Sequence, residues 1–125
     1  MANPNIVAVN TIFGNSTGIL LTTTLTTVLL ANGTASGKVF KVNSIMIANV
    51  DGTNAADVTV DYHTAANGTA GSSFALAATI SVPADATLNL VDKNSSFYLM
   101  ENQSIIGGAS ANSDLECVIS YEDIS

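Results

Sequence analysis

Apolar and polar side chains alternate along much of this chain, and this period of two constrains the fold more than any other feature. In one segment Val58, Val60 and Tyr62 alternate with Thr59 and Asp61. Such alternation places the apolar side chains on one face of a β-strand. This pattern, together with β-branched runs that fit a pleated sheet better than a helix, predicts strands in nine segments. They are residues 5–13, 19–30, 38–50, 58–62, 74–82, 87–92, 97–100, 104–107 and 115–121.

Turn-forming residues separate these segments at intervals of about ten residues, the spacing typical of a β-sandwich or barrel. Asn32-Gly33, Asp51-Gly52 and Asn67-Gly68 mark three turns, and Pro83 marks a fourth. A chain of 125 residues is the size of one domain. We therefore predict an all-β, single-domain β-sandwich over residues 1–125, with about eight antiparallel strands and jelly-roll or Greek-key connections. Residues 1–13 would form a short extended N-terminal arm or an edge strand.

Two segments leave the local structure open. Residues 17–31 also carry an apolar stripe at helical spacing, although the run of threonines favours a strand. The pair Gly107-Gly108 predicts a bulge or a kink within a strand.

The charge balance excludes several classes of partner. The chain carries three lysines, no arginine and ten acidic residues, for a net charge of −7, and only 10% of its residues are charged. An ordinary domain has about 25%. Binding of nucleic acid or of an anionic membrane needs clustered basic residues, so neither is expected. The N-terminus has neither the basic nor the apolar region of a secretory signal, which predicts synthesis in the cytoplasm.

Candidate catalytic and metal-binding residues are few, and each has a structural interpretation. Asp51, Asn54 and Asp57 could offer oxygen ligands to calcium, but their spacing does not match an EF-hand, and a loop whose side chains bond its own backbone is favoured. His63 lacks sequence neighbours at ligand spacing, and Cys117 lies on the apolar face of a predicted strand. We therefore predict a protein that is not an enzyme and that binds no metal or cofactor.

The predicted solvent-facing positions carry mostly threonine, serine, asparagine and alanine. Such short side chains lose little conformational entropy on burial, so this surface suits contact with neighbouring subunits. We expect a homo-oligomer, most simply a trimer or a lattice component.

Four segments carry a family resemblance: residues 37–52 (GKVFKVNSIMIANVDG), 80–88 (ISVPADATL), 97–105 (FYLMENQSI) and 115–122 (LECVISYE). They resemble small virion proteins of tailed bacteriophages, particularly of cyanophages and other marine phages. The match covers most of the chain from Gly37 onward and is less distinct before it. The resemblance implies a non-enzymatic capsid decoration, or cement, protein. Such a protein is made in the host cytoplasm, sits on the outer surface of the capsid, and contacts the major capsid protein and itself.

The scarcity of basic residues also predicts that the protein faces away from packaged DNA. A collar, tail or fibre position remains the alternative, with host-glycan binding through Tyr62 or Tyr98. The expected contact residues lie in the arm and in two loops. They are Asn3, Pro4, Asn5, Ile6, Asp51, Asn54, Asp57, Asn67 and Ser72.

Overall fold

A computed structural model describes residues 3–67 and 70–125, and in those residues the protein is all-β, with no helix and with nine antiparallel strands. The same residues therefore hold no helix that could span a membrane. The strands are β1 Ile12–Leu20, β2 Val28–Asn32, β3 Val39–Asn49, β4 Ala56–His63, β5 Ser73–Val82, β6 Thr87–Val91, β7 Phe97–Leu99, β8 Gln103–Ala109 and β9 Leu115–Ile124.

The strands form the two sheets of a sandwich, which confirms the predicted fold class. One sheet has the order β1-β9-β3-β6, with β7 also paired to β3, and the other has the order β2-β8-β4-β5. If the three-residue β7 is set aside, the other eight described strands follow the order first, eighth, third, sixth in one sheet. In the other sheet the order is second, seventh, fourth, fifth. This is the connectivity of a jelly roll, one of the two arrangements predicted.

The core between the sheets is aliphatic and follows the period of two. Val58 and Val60 are fully buried, as are Ile45 and Ile47 on the opposing sheet. The pairing of β3 with β9 shifts register between Val42 and Ser44. This irregularity allows Val42 and Ile45, three positions apart, to face the core together.

The N-terminal third differs from the prediction. Residues 5–10 form no strand: Asn5 closes a turn by accepting the amide of Val7 on its side chain and that of Ala8 on its carbonyl. The strand starts at Ile12, because pairing with β9 extends there to Ile124. β9 consequently runs past residue 121, through the acidic C-terminal residues, to Ile124.

The predicted strand 19–30 is also wrong as a single element. The chain leaves the first sheet after Leu20, crosses to the other sheet through residues 21–27, and pairs again from Val28. In the crossing, Thr27 donates both its amide and its hydroxyl to the carbonyl of Thr24. The helix left open for residues 17–31 does not form.

The Gly107-Gly108 pair lies in β8 without a bulge in its pairing with β4, because Val60 opposes Gly107 and Thr59 opposes Gly108 in continuous register. The glycines instead allow close approach of other backbone. A Cβ on Gly107 would lie 2.4 Å from the carbonyl oxygen of Thr59, and one on Gly108 would lie 2.7 Å from that of Thr22. The predicted bulge is therefore absent from the pairing of β8 with β4.

Candidate interaction surface

The described part of the N-terminal arm folds back over the outer face of the first sheet. The amide of Glu101, just after β7, donates to Asn3 Oδ1 at 3.4 Å. Asn3, Pro4 and Ile6 line a shallow apolar cavity of about 190 Å³. Its other walls are Val39 of β3 with Tyr98 and Met100 of the β7 region. We call the six residues that line this cavity the arm surface.

The arm surface leaves large apolar side chains in contact with solvent. Ile6 is 53% exposed, Tyr98 44% and Met100 40%, and the adjoining Val7 is 91% exposed. Val39 beneath them is buried. Clustered apolar exposure on a folded domain is typical of a contact surface.

The loop after β3 is held by its own side chains. Asp51 Oδ1 accepts the amide of Thr53 at 2.8 Å, and Asp51 Oδ2 accepts from Asn54 Nδ2 at 3.3 Å. The amide of Thr53, then the side chain of Asn54, lower the pKa of Asp51 below its ordinary value. This is the self-bonded loop that the sequence favoured over a calcium site.

Asp57 does not join Asp51 and Asn54 in this loop network. It lies in β4, where its amide donates to Ser110 Oγ at 2.9 Å. With Thr59, Thr79 and Ser110, it lines a separate cavity of about 270 Å³ on the second sheet. The three residues proposed from the sequence as one loop cluster therefore belong to two different places.

Asn67 and Ser72 lie in the β4–β5 loop, whose Gly68 is outside the described residues. Asn67 Oδ1 accepts the amide of Ala70 at 3.1 Å, and Ser72 donates its amide to Thr64 Oγ1 at 2.8 Å. These bonds shape the loop tip, which is well separated in the chain from the arm.

His63 is packed into the base of the same loop. Its side chain is 4% exposed, and Nδ1 lies 2.8 Å from Ser73 Oγ. Nε2 is buried without a hydrogen-bond partner in the described residues. His63 is therefore a buried strand residue, as the sequence favoured.

Cys117 is fully buried, and burial raises the pKa of its thiol to about 12. A thiol in this state is a poor nucleophile, which agrees with the interpretation as a small core residue. Within residues 3–67 and 70–125, no three His, Cys, Asp or Glu side chains are grouped to hold a metal ion.

The structure thus brings Asn3, Pro4 and Ile6 together and places Asn5 in the adjoining turn. Sequence reasoning missed Val39 and Met100 as parts of the same surface. Val39 lies in β3 and Met100 follows β7, and only the pairing of β7 with β3 brings these two segments together. Of the two tyrosines considered for glycan binding, Tyr98 is exposed, whereas Tyr62 packs against Phe74 and Phe97.

Comparisons with protein-family models, with curated proteins and with solved structures found no match to this chain.

Proposed function

We propose that this protein is a non-enzymatic structural subunit of a phage virion, most simply a decoration protein on the outer surface of the capsid. The proposal begins with the resemblance of residues 37–52 and three later segments to small virion proteins. Jelly rolls also build viral capsid domains, although the fold alone does not specify a function.

The observation that carries the proposal is the exposed arm surface on a sparsely charged sandwich. Ile6, Tyr98 and Met100 expose apolar area beside an arm that is held to the sheet through Asn3. A decoration protein needs such a preformed apolar area to cover the boundary between capsid subunits. Burial of these side chains supplies the affinity, and the arm loses little entropy because it is already seated.

The test is add-back of purified protein to particles that lack it, with the copy number per particle measured by quantitative mass spectrometry. We expect a copy number comparable with that of the major capsid protein. A number far below it would move the protein to the collar, tail or fibre. An absence of binding to any part of the particle would refute the proposal.

A matched pair of variants tests the arm surface. Ile6→Asp places a charge on the arm surface, and Val50→Asp places the same charge on an equally exposed apolar residue outside it, since Ile6 is 53% and Val50 52% exposed. We expect Ile6→Asp to weaken particle binding by about tenfold or more, as loss of a central interface anchor does. Val50→Asp should bind like the wild type. Equal binding by both variants would contradict the role of the arm.

A further inference from the structure

Strand β1 is an open edge of the first sheet. Among residues 3–67 and 70–125 it pairs only with β9, in a register of nine residues without a shift. Its sequence, IFGNSTGIL, contains no charged residue and no proline. Proteins usually protect such an edge with charges, proline, bulges or short length, because its free backbone groups are a template for another strand.

The other described edges are protected. β2 is five residues long and shifts register between Val28 and Leu30. β5 is interrupted twice, and Thr79 within it has a left-handed φ of 53°. On the far side of β3 lie β6, which has its own register shift, and β7, which has three residues. The open edge of β1 is therefore exceptional within this fold.

The hydrogen bonds at the two ends of β1 show which of its residues direct their backbone groups toward β9 and which direct them away from the sheet. Thr11 and Ser125 exchange two backbone hydrogen bonds, and Leu21 donates to the carbonyl of Leu115. Odd-numbered residues thus bond to β9, since hydrogen-bonding direction alternates along an antiparallel strand. The even-numbered residues direct their N–H and C=O groups away from the sheet. They are Ile12, Gly14, Ser16, Gly18 and Leu20.

The sequence of β1 reads similarly in both directions from Ser16. In antiparallel pairing of two copies centred there, apolar residues oppose apolar residues, glycine opposes glycine, and polar residues oppose polar residues. The pairs are Ile12 with Leu20, Phe13 with Ile19, Gly14 with Gly18, Asn15 with Thr17, and Ser16 with Ser16. The centre falls on an even residue, so every outward-directed residue meets another outward-directed residue.

We propose that β1 pairs with β1 of a second copy about a two-fold axis at Ser16, which joins the two first sheets into one continuous sheet. Each even-numbered residue then donates one backbone hydrogen bond across the axis and accepts another. The pairing covers Ile12, Phe13 and Leu20, which are 55%, 61% and 49% exposed in the single chain. Because the same edge serves both copies, the assembly closes as a dimer.

The charges of the chain favour this edge for self-association. Two copies of net charge −7 repel each other, and like charges placed opposite each other in a sheet are destabilising. β1 brings no charge to the axis. The arm surface remains available to another partner, because its residues in β3 and β7 are separated from β1 by β9.

This inference rests on the proposed function, a virion subunit for which the sequence predicts a homo-oligomer, and deepens it by assigning the surface and the symmetry. A two-fold dimer takes the place of the trimer or lattice that the sequence most simply predicted. The two can fail separately. Particle binding by a protein that is monomeric at every concentration would overturn the pairing and leave the proposed function standing. A β1-paired dimer that binds no particle would do the reverse.

Light scattering on fractions from size-exclusion chromatography tests the pairing over a concentration series. We expect the wild type to have twice the mass of one chain. Ser16→Lys and Ser16→Glu place like charges across the axis and should each raise the dimer Kd about tenfold or more. A 1:1 mixture of these two variants opposes Lys with Glu and should restore the dimer.

Two controls separate charge at the axis from other effects. Ser16→Ala removes the 2.8 Å contact between the hydroxyls of Ser16 and Ser120 but leaves the edge neutral, so it should dimerise. Asn89→Lys adds the same charge at an exposed position of β6, at the other side of the sheet, and should also dimerise. A monomeric wild type, a trimer, or dimers of Ser16→Lys as stable as the wild type would overturn the proposal.

Amide hydrogen exchange measured by NMR tests the register residue by residue. In the wild type we expect slow exchange at both odd and even positions of β1. In Ser16→Lys the even amides, including those of Gly14 and Gly18, should exchange at least about tenfold faster, whereas the odd amides bonded to β9 stay protected. Fast exchange of the even amides in a dimeric wild type would place the interface elsewhere and overturn the proposal.

Discussion

Replacing Gly107 with alanine should destabilise the protein because β8 and β4 approach too closely there for a side chain. The added Cβ would lie 2.4 Å from the carbonyl oxygen of Thr59 and 3.1 Å from Val60 Cα. Both contacts are with backbone, and both partner residues lie in a ladder paired to β8 itself. Neither β4 nor β8 can move away from the other without loss of the hydrogen bonds between them.

The size of the effect follows from the distances. Ordinary contacts of a Cβ begin at 3.4 Å, so the two strands must separate locally by about 1 Å. Overpacking of this kind costs about 3 kcal/mol, and the lower backbone entropy of an unfolded alanine chain offsets about 0.5 kcal/mol or more of it. We expect the free energy of unfolding to fall by about 2–3 kcal/mol. The Tm of a domain of this size would fall by roughly 10 °C.

Alanine substitutions at two further glycines provide comparisons for the stability loss of Gly107→Ala. In Gly108→Ala the added Cβ would lie 2.7 and 2.8 Å from the carbonyl oxygens of Thr22 and Thr24. These contacts are longer than the 2.4 Å contact at Gly107 and lie outside the strand pairing, in the crossing of residues 21–27, so the loss should be about 1–2 kcal/mol. Gly14→Ala meets nothing within 4 Å and should stabilise by about 0.5 kcal/mol.

The assay is urea unfolding followed by far-ultraviolet circular dichroism, supported by thermal melts. From the most to the least stable, we expect the order Gly14→Ala, wild type, Gly108→Ala, Gly107→Ala. Equal stability of Gly107→Ala and Gly14→Ala would refute the reasoning, because the close backbone contacts found at Gly107 are absent at Gly14.

Two more predictions concern buried side chains. Asn32→Ala should lower the free energy of unfolding by about 2 kcal/mol, because Asn32 Nδ2 donates to the carbonyls of Lys38 and Leu99 at 2.9 and 3.0 Å, and both carbonyls would lose this partner. The control in urea unfolding is Asn89→Ala, at an exposed position. Equal losses in the two variants would contradict the argument. Burial raises the pKa of the Cys117 thiol from 9.0 to about 12, so the thiol ionises at lower pH in the unfolded chain than in the folded one. The free energy of unfolding should therefore fall as the pH rises from 9.0 to about 12. The fall should be roughly 4 kcal/mol larger than in Cys117→Ala. Parallel pH profiles for these two proteins would exclude a buried, protonated thiol.

Several strands could be predicted well because their signal is local. The segments 38–50, 74–82 and 87–92 match β3, β5 and β6 to within one residue at each end. Each has β-branched or alternating residues between turn signals, and these are properties of neighbours in the chain. The turn at Pro83 is confirmed by the bond from the amide of Ala86 to the carbonyl of Pro83.

The sequence does not show which of the candidate contact residues lie together, because several of their neighbours come from distant segments. Asp51 and Asn54 bond within their own loop, whereas the amide of Asp57 donates to the hydroxyl of Ser110, more than fifty residues away in the chain. The arm residues meet Tyr98 and Met100 only because β7 pairs with β3. No periodicity along the chain carries this information.

The sequence by itself determined that this chain is a β-sandwich, because the alternation of side chains and the spacing of turns act over a few residues. The tertiary structure alone decided which strands are neighbours. The symmetric pattern of β1 is visible in the sequence, but only its pairing with β9 shows that Gly14, Ser16 and Gly18 direct their amides outward. Likewise, the approach of Thr59 and Thr22 gives Gly107 and Gly108 their roles. The physical reason is that sheet pairing joins residues far apart in the chain, and its register depends on the whole packed core.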